Sequence, residues 1–316
     1  MTIHDDNLAG DILLEIFDAY RQLYQHQPNY ESLWNGSDGW FKLAHVCLRW
    51  RRLVLSSTTR LRVHLLFTPR RSSREPVLSY LPRLPIFVDY CNVSWTEKDE
   101  NLALAAIEHR SRVHGITLRK PCAGRLLQAL IHPILELESF KICSSPLNYR
   151  DEPELDIPPT FLLSAPSLRR LTLRDVVPRC LSPLLSSGTA LVELALSLKV
   201  SRDSLPEAPL IANLQRLSCL RRLKLKLCYS DIAIPDSTPP PATTGDVVPL
   251  SKLTDFILWG RAPYVEMLVA RLAATSLQHL DAGVESWSSV FLIHISADLS
   301  ATQNDHGCLG SLSSCA

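Results

Sequence analysis

Glycine is scarce in this chain, 11 of 316 residues. Nucleotide folds that cradle phosphate need glycines at fixed offsets, and neither GxGxxG nor GxxxxGK followed by Ser or Thr occurs. No run approaches the ~20 apolar residues of a spanning helix. The opening Met-Thr-Ile-His-Asp-Asp has neither the basic nor the apolar region of a signal peptide. The ten histidines form no HExxH and no serine sits in a GxSxG elbow, which leaves hydrolase chemistry without a motif. The nine cysteines are scattered and never spaced CxxC. Such usage fits a reducing compartment in which thiols act as small buried hydrophobes. Cys219 and Cys228 flank an expected strand, but without a second pair at ligand spacing no metal site is expected. A net charge of +1 gives no overall attraction to nucleic acid or membrane. These absences describe a non-catalytic chain with no cofactor, expected in the cytoplasm or nucleus.

Leucine is what is abundant, at 56 residues, and its placement is not random. Leu168/Leu171/Leu173, Leu191/Leu194/Leu196 and Leu220/Leu223/Leu225 are strict copies of LxxLxL. Looser copies are Val113/Ile116/Leu118, Leu137/Phe140/Ile142, Leu253/Phe256/Leu258 and Leu277/Leu280/Ala282. A random chain this rich in leucine holds about two strict matches to such a signature, so the inference rests on spacing. Successive starts lie 24, 31, 23, 29, 33 and 24 residues apart, mostly near the leucine-rich-repeat period. Apolar helical stretches separate them: 125–131, 180–185 and 263–272. One strand-turn-helix unit cannot bury its own leucines, but stacked units share a continuous core. The expected fold class is α/β, a small helical N-terminal module followed by an irregular leucine-rich-repeat solenoid with a curved parallel sheet.

In LxxLxL the second and third leucines point inward, and the residues before, between and after them face the concave side. Those positions hold seven basic residues and three acids, Glu193, Asp255 and Asp281, in a nearly neutral chain. The basic ones are Arg119, Lys141, Arg170, Arg174, Arg222, Lys224 and Lys226. With Trp259 as an aromatic anchor they make a candidate target-binding face for an acidic or phosphorylated peptide. A solvated sheet face whose charges deter strand pairing explains the same pattern.

The N-terminus carries a different signal. Leu43, Val46, Cys47, Trp50 and Val54 recur at helical spacing, with Arg49, Arg51 and Arg52 outside the stripe. Leu8, Ile12, Leu13, Ile16 and Phe17 write a second amphipathic helix led by Asp11. Over residues 5–62 the chain resembles an F-box of the fungal type, most specifically in Val46-Cys47-x-x-Trp50-Arg51. The family usually opens Leu-Pro, whereas Leu8 is followed by Ala9, and residues 21–42 are a long insertion. The resemblance implies docking onto the adaptor of a cullin-based ubiquitin ligase. The residues it implies at the adaptor are Leu8, Ile12, Leu13, Ile16, Phe17, Leu43, Val46, Cys47, Trp50 and Val54. Some of them close the module's own core, and Trp50 serves either as interface anchor or as core residue.

Four segments are expected: a module over 1–66 with its inserted loop at 21–42, a linker and solenoid cap over 67–110, repeats over 111–295, and a polar tail over 296–316. Loop insertions fall near 144–160 and 231–250, both rich in proline. Residues 84–90 read as a strand and 99–109 as a helix. The Ser-rich tail offers no capping repeat, and is expected to be a truncated or non-native end. Two functions remain in view: a substrate receptor of a cullin-type ligase, and a leucine-rich-repeat scaffold that does not engage one. Nucleic-acid binding through Arg49–Arg52, Arg60–Arg62 and Arg70–Arg74 is disfavoured, because those arginines have little aromatic interleaving and the net charge is near neutral.

Overall fold

The computed structural model describes residues 8–25, 39–58, 60–61, 63–67, 84–90, 96–119, 123–143, 161–176, 184–185, 190–200, 207–229, 247–284 and 295–298. The loops expected at 144–160 and over most of 231–250, the arginines at 70–74 and the tail beyond 298 lie outside them. The chain divides into two compact units, Met1–Gly115 and Ile116–Ala316.

The first unit opens with three helices, α1 (Gly10–Gln25), α2 (Gly39–Val46) and α3 (Leu48–Ser56). The single helix expected over 43–54 is thus two. Cys47 between them is extended (φ −155°, ψ 171°), and its Sγ accepts the Trp50 backbone N–H at 3.4 Å as an N-cap. An extended residue interrupts the i to i−4 ladder and turns the chain, so one helical face does not continue through it. The inserted segment is also shorter than 21–42, because α1 runs on to Gln25 and α2 begins at Gly39.

Arginines tie these helices together. Arg51 Nε donates to the Ala44 carbonyl in the last turn of α2 at 2.9 Å, and an Arg49 guanidinium N–H donates to the Leu8 carbonyl. Arg60 Nε bonds Asp18 of α1 at 3.0 Å, and its Nη2 meets Glu15. Hydrogen bonds to Asp18 first and Glu15 second raise the Arg60 pKa above its usual value. Strands β1 (Leu65–Phe67) and β2 (Ile86–Tyr90) follow, paired parallel from Leu65↔Ile86 to Phe67↔Val88. Helix α4 (Glu97–Glu108) begins with a capping box. Thr96 Oγ1 accepts the Asp99 N–H at 3.3 Å, and the Asp99 carboxylate accepts the Thr96 N–H at 3.0 Å.

The strands β3 (Val113–Arg119), β4 (Ser139–Cys143), β5 (Arg170–Val176), β6 (Glu193–Val200), β7 (Arg222–Tyr229), β9 (Asp255–Gly260), β11 (His279–Val284) and β12 (Ile295–Asp298) continue the sheet. Its order is β1-β2-β3-β4-β5-β6-β7-β9-β11-β12, nine parallel strands with β12 antiparallel at one edge, open rather than closed. A two-residue strand β8 (Val248–Pro249) pairs separately with β10 (Leu272–Ala273). The helical segments α5 (Ala123–Ala129), α6 (Phe161–Ser164), α7 (Glu207–Arg216) and α8 (Ala262–Arg271) lie between strands. The architecture is α/β, built on a large parallel sheet.

The leucine pattern has a backbone counterpart in the second unit. The first apolar residue of a copy donates its N–H three residues back: Leu137 to Ile134, Leu168 to Ala165, Leu220 to Leu217, Leu253 to Leu250 and Leu277 to Ala274. The carbonyl that follows then accepts two N–H groups from the next copy. Glu138 receives Arg169 and Arg170, Arg169 receives Val192 and Glu193, and Val192 receives Arg221 and Arg222. Arg221 receives Thr254 and Asp255, and Thr254 receives Gln278 and His279. The doubly accepting carbonyl therefore recurs at residues 138, 169, 192, 221 and 254, over irregular spacings of 31, 23, 29 and 33 residues, so the length differences fall between strands. The inward residues Leu171, Leu173, Leu194, Leu196, Leu223, Leu225, Phe256 and Leu258 are all buried. Strand alternation thus sets the core.

Two sequence expectations change here. Ser139, Lys141 and Cys143 of β4 are buried along with Phe140 and Ile142, so β4 is covered on both faces. Lys141, expected on an exposed face, is 8% exposed and drops out of the open surface. Residues 295–298 are an antiparallel edge strand rather than the start of a featureless tail, with Ala297 opposite Leu280.

Candidate interaction surfaces

The helices of the first unit sort the ten residues implied at the adaptor into three sets, buried, half-buried and exposed. Leu13, Phe17, Leu43 and Val54 are buried, with Leu14, Trp40 and Ala44, and are not available to a partner. The reason is geometric: α1, α2 and α3 pack on one another, and each spends its inward stripe on that contact. Trp50 is half-buried and packs on Phe17 with ring centroids 4.8 Å apart at 59°. Its indole N–H is buried without a hydrogen-bond partner. Leu8 and Cys47 are half-buried.

Ile12 and Ile16 are 50% and 45% exposed, one turn apart on the same face of α1. Val46 and Leu48, on either side of Cys47, are each 57% exposed. Leu48 escaped the sequence reading because it lies outside the i, i+3, i+4 stripe of a continuous helix. The extended Cys47 is what exposes it. Its signal in the sequence is only that a leucine follows the cysteine.

In the second unit the outward residues of β5, β6, β7, β9 and β11 stand in rows set by the register. The first row reads Arg170, Glu193, Arg222, Asp255, His279. It alternates in charge, and Arg222 bridges its neighbours, at 3.2 Å to Glu193 and 3.6 Å to Asp255. The second row is Thr172, Ala195, Lys224, Ile257, Asp281, and beyond it Ser197, Lys226, Trp259 and Gly283 align. Lys224 and Lys226 are exposed, while Ile257 and Trp259 are half-buried. Gly283 makes room for Trp259: a Cβ there would lie 2.7 Å from the indole ring. Of the residues expected on this face, Arg170 and Arg174 are half-buried, and the Arg119 side chain lies outside the described set. The basic stripe is thereby reduced. Arg222 belongs to an ion-pair row, and the exposed cations in the two rows beyond it are Lys224 and Lys226, with Asp281 the acid of the second row.

Among the described residues no group of three or more His, Cys, Asp or Glu side chains is placed to hold a metal ion. No described helix is long and apolar enough to cross a membrane. No protein-family model matches this sequence, and no curated protein matches it.

Proposed function

We propose that this chain is the substrate-recognition subunit of a cullin-type ubiquitin ligase. Its N-terminal helices bind the ligase adaptor, and through it the cullin, while the repeat face binds a target protein. The carrying observation is that α1–α3 close a core of their own and still leave Ile12, Ile16, Val46 and Leu48 exposed. Burying an aliphatic side chain of that size is worth ~1.5–3 kcal/mol. A helical module with four such groups in water is suited to an apolar partner. Two of the three arginines support the same reading against nucleic acid, since Arg49 bonds the Leu8 carbonyl and Arg51 the Ala44 carbonyl. In this role the chain does no bond chemistry. It raises the concentration of a target lysine beside a ubiquitin thioester, an effect of proximity.

The test is capture of the full-length chain by purified ligase adaptor, with variants at exposed and buried positions. Ile12→Asp/Ile16→Asp and Val46→Asp should lose capture while keeping the wild-type unfolding free energy within about 0.5 kcal/mol. Phe17→Ala should instead lower stability by ~3–5 kcal/mol. A folded wild-type chain that fails to bind adaptor at micromolar concentration would move the reading to a repeat scaffold outside the ligase.

A further inference from the structure

We propose that β7 and β9 dock an extended acidic segment of a protein, lying across the strands. One carboxylate of the segment sits between Lys224 and Lys226. An apolar side chain two residues further along rests on Ile257 and the Trp259 indole. This rests on the repeat face being the target-binding surface and names the class of target.

Charge complementarity carries the argument. The acids beside β7 are Glu193 and Asp255, and Arg222 is bonded to both. That row is close to self-neutralising. One and two rows on, Lys224 stands between Ala195 and Ile257, and Lys226 between Ser197 and Trp259. No ion pair reaches either lysine among the described residues. Two lysines on the same face of one strand, rooted about 6.8 Å apart along it, thus repel each other with no ion-pair partner of their own, the nearest acid in their rows being Asp281 two strands from Lys224. A carboxylate placed between them has one oxygen for each. Lysines act as separate point charges, whereas the planar fork favoured for phosphate comes from arginine, and Arg222 is already engaged.

Shape sets the rest of the motif. Ala195 and Ser197 are small, so the lysines border a shallow trough on the β6 side. On the other side the Trp259 ring lies over Gly283, an apolar plate beside Ile257. Side chains on one face of an extended segment recur every second residue, about 6.8 Å apart. That step spans the ~4.8 Å from β7 to β9 with some lean of the long side chains. The preferred segment therefore reads acid, any residue, apolar. Strand addition is excluded as a docking mode here, because β7 and β9 already have ladder partners on both sides.

The experiment is fluorescence polarisation of the full-length chain with four labelled synthetic peptides in a Ser-Gly background. Their paired positions carry glutamate and leucine, serine and leucine, glutamate and serine, or phosphoserine and leucine. Glutamate with leucine should bind most tightly and weaken as salt is raised. Removing either group, or introducing Lys224→Glu/Lys226→Glu, should weaken binding at least about tenfold. Trp259→Ala should weaken it severalfold, and Lys252→Glu, in the turn before β9, should leave it unchanged. Circular dichroism verifies that each variant is folded. Equal binding by the lysine variant, no binding of the glutamate-leucine peptide at millimolar concentration, or binding by the phosphoserine peptide alone would each overturn the proposal. Adaptor capture is read separately, so loss of the ligase reading and loss of this one are distinguishable.

Discussion

Tyr90, the last residue of β2, has a buried phenol, and burial first and the Asp99 carboxylate second raise its pKa above the ordinary 10.0. Both effects disfavour the phenolate, so the folded chain keeps this proton at a pH where the unfolded chain has lost it. The sign follows from linkage: the stabilising difference is fully present below about pH 10 and is lost as pH rises beyond it. Denaturant midpoints should fall more steeply above pH 10 in the wild type than in Tyr90→Phe. Parallel curves would remove Tyr90 from the alkaline transition. Nothing in the sequence marks this tyrosine among the eight, because its environment comes from Asp99 nine residues away and from the surrounding core.

Helices and strands differ in how far the sequence exposes them. The sequence pattern starts α4 at residue 99, whereas the helix begins at Glu97, because Thr96 and Asp99 close a capping box ahead of the apolar run. Thr96→Ala should cost ~0.5–2 kcal/mol in chemical denaturation, by leaving N–H groups of the first turn without their acceptor. A loss well below that range would mean that water substitutes for the hydroxyl. The repeat turns are legible in part. The first leucine of each unit is visible, but the apolar residue three positions earlier (Ile134, Ala165, Leu217, Leu250, Ala274) becomes meaningful only once its carbonyl is seen to close the turn. The break at Cys47 is not legible. A run with unbroken 3.6-residue periodicity predicts one helix, and the side-chain cap that splits it leaves no periodic trace.

At the scale of the molecule, each interior strand of the second unit depends on both neighbours, as in a one-dimensional stack. Leu225 in the middle of β7 is fully buried, with Leu196 and Leu258 in register on either side. Leu225→Ala should destabilise by ~2–5 kcal/mol and lower protection from hydrogen exchange in β6 and β9 as well as in β7. An effect confined to β7 would contradict that coupling.

The α/β class, the positions of the repeated strands and the inward-facing leucines were determined by the sequence itself. Alternation along a strand and spacing between copies are local properties of the chain, and they survive variable loops. The tertiary structure decided which apolar and charged groups remain available. Only packing separates Leu13 and Phe17 from Ile12 and Ile16, although all four belong to one amphipathic pattern. Likewise only strand register pairs Arg222 with Glu193 and Asp255 and leaves Lys224 and Lys226 exposed. Burial and ion pairing depend on residues 29 to 33 positions away in the chain, and no short-range pattern encodes which of them arrive.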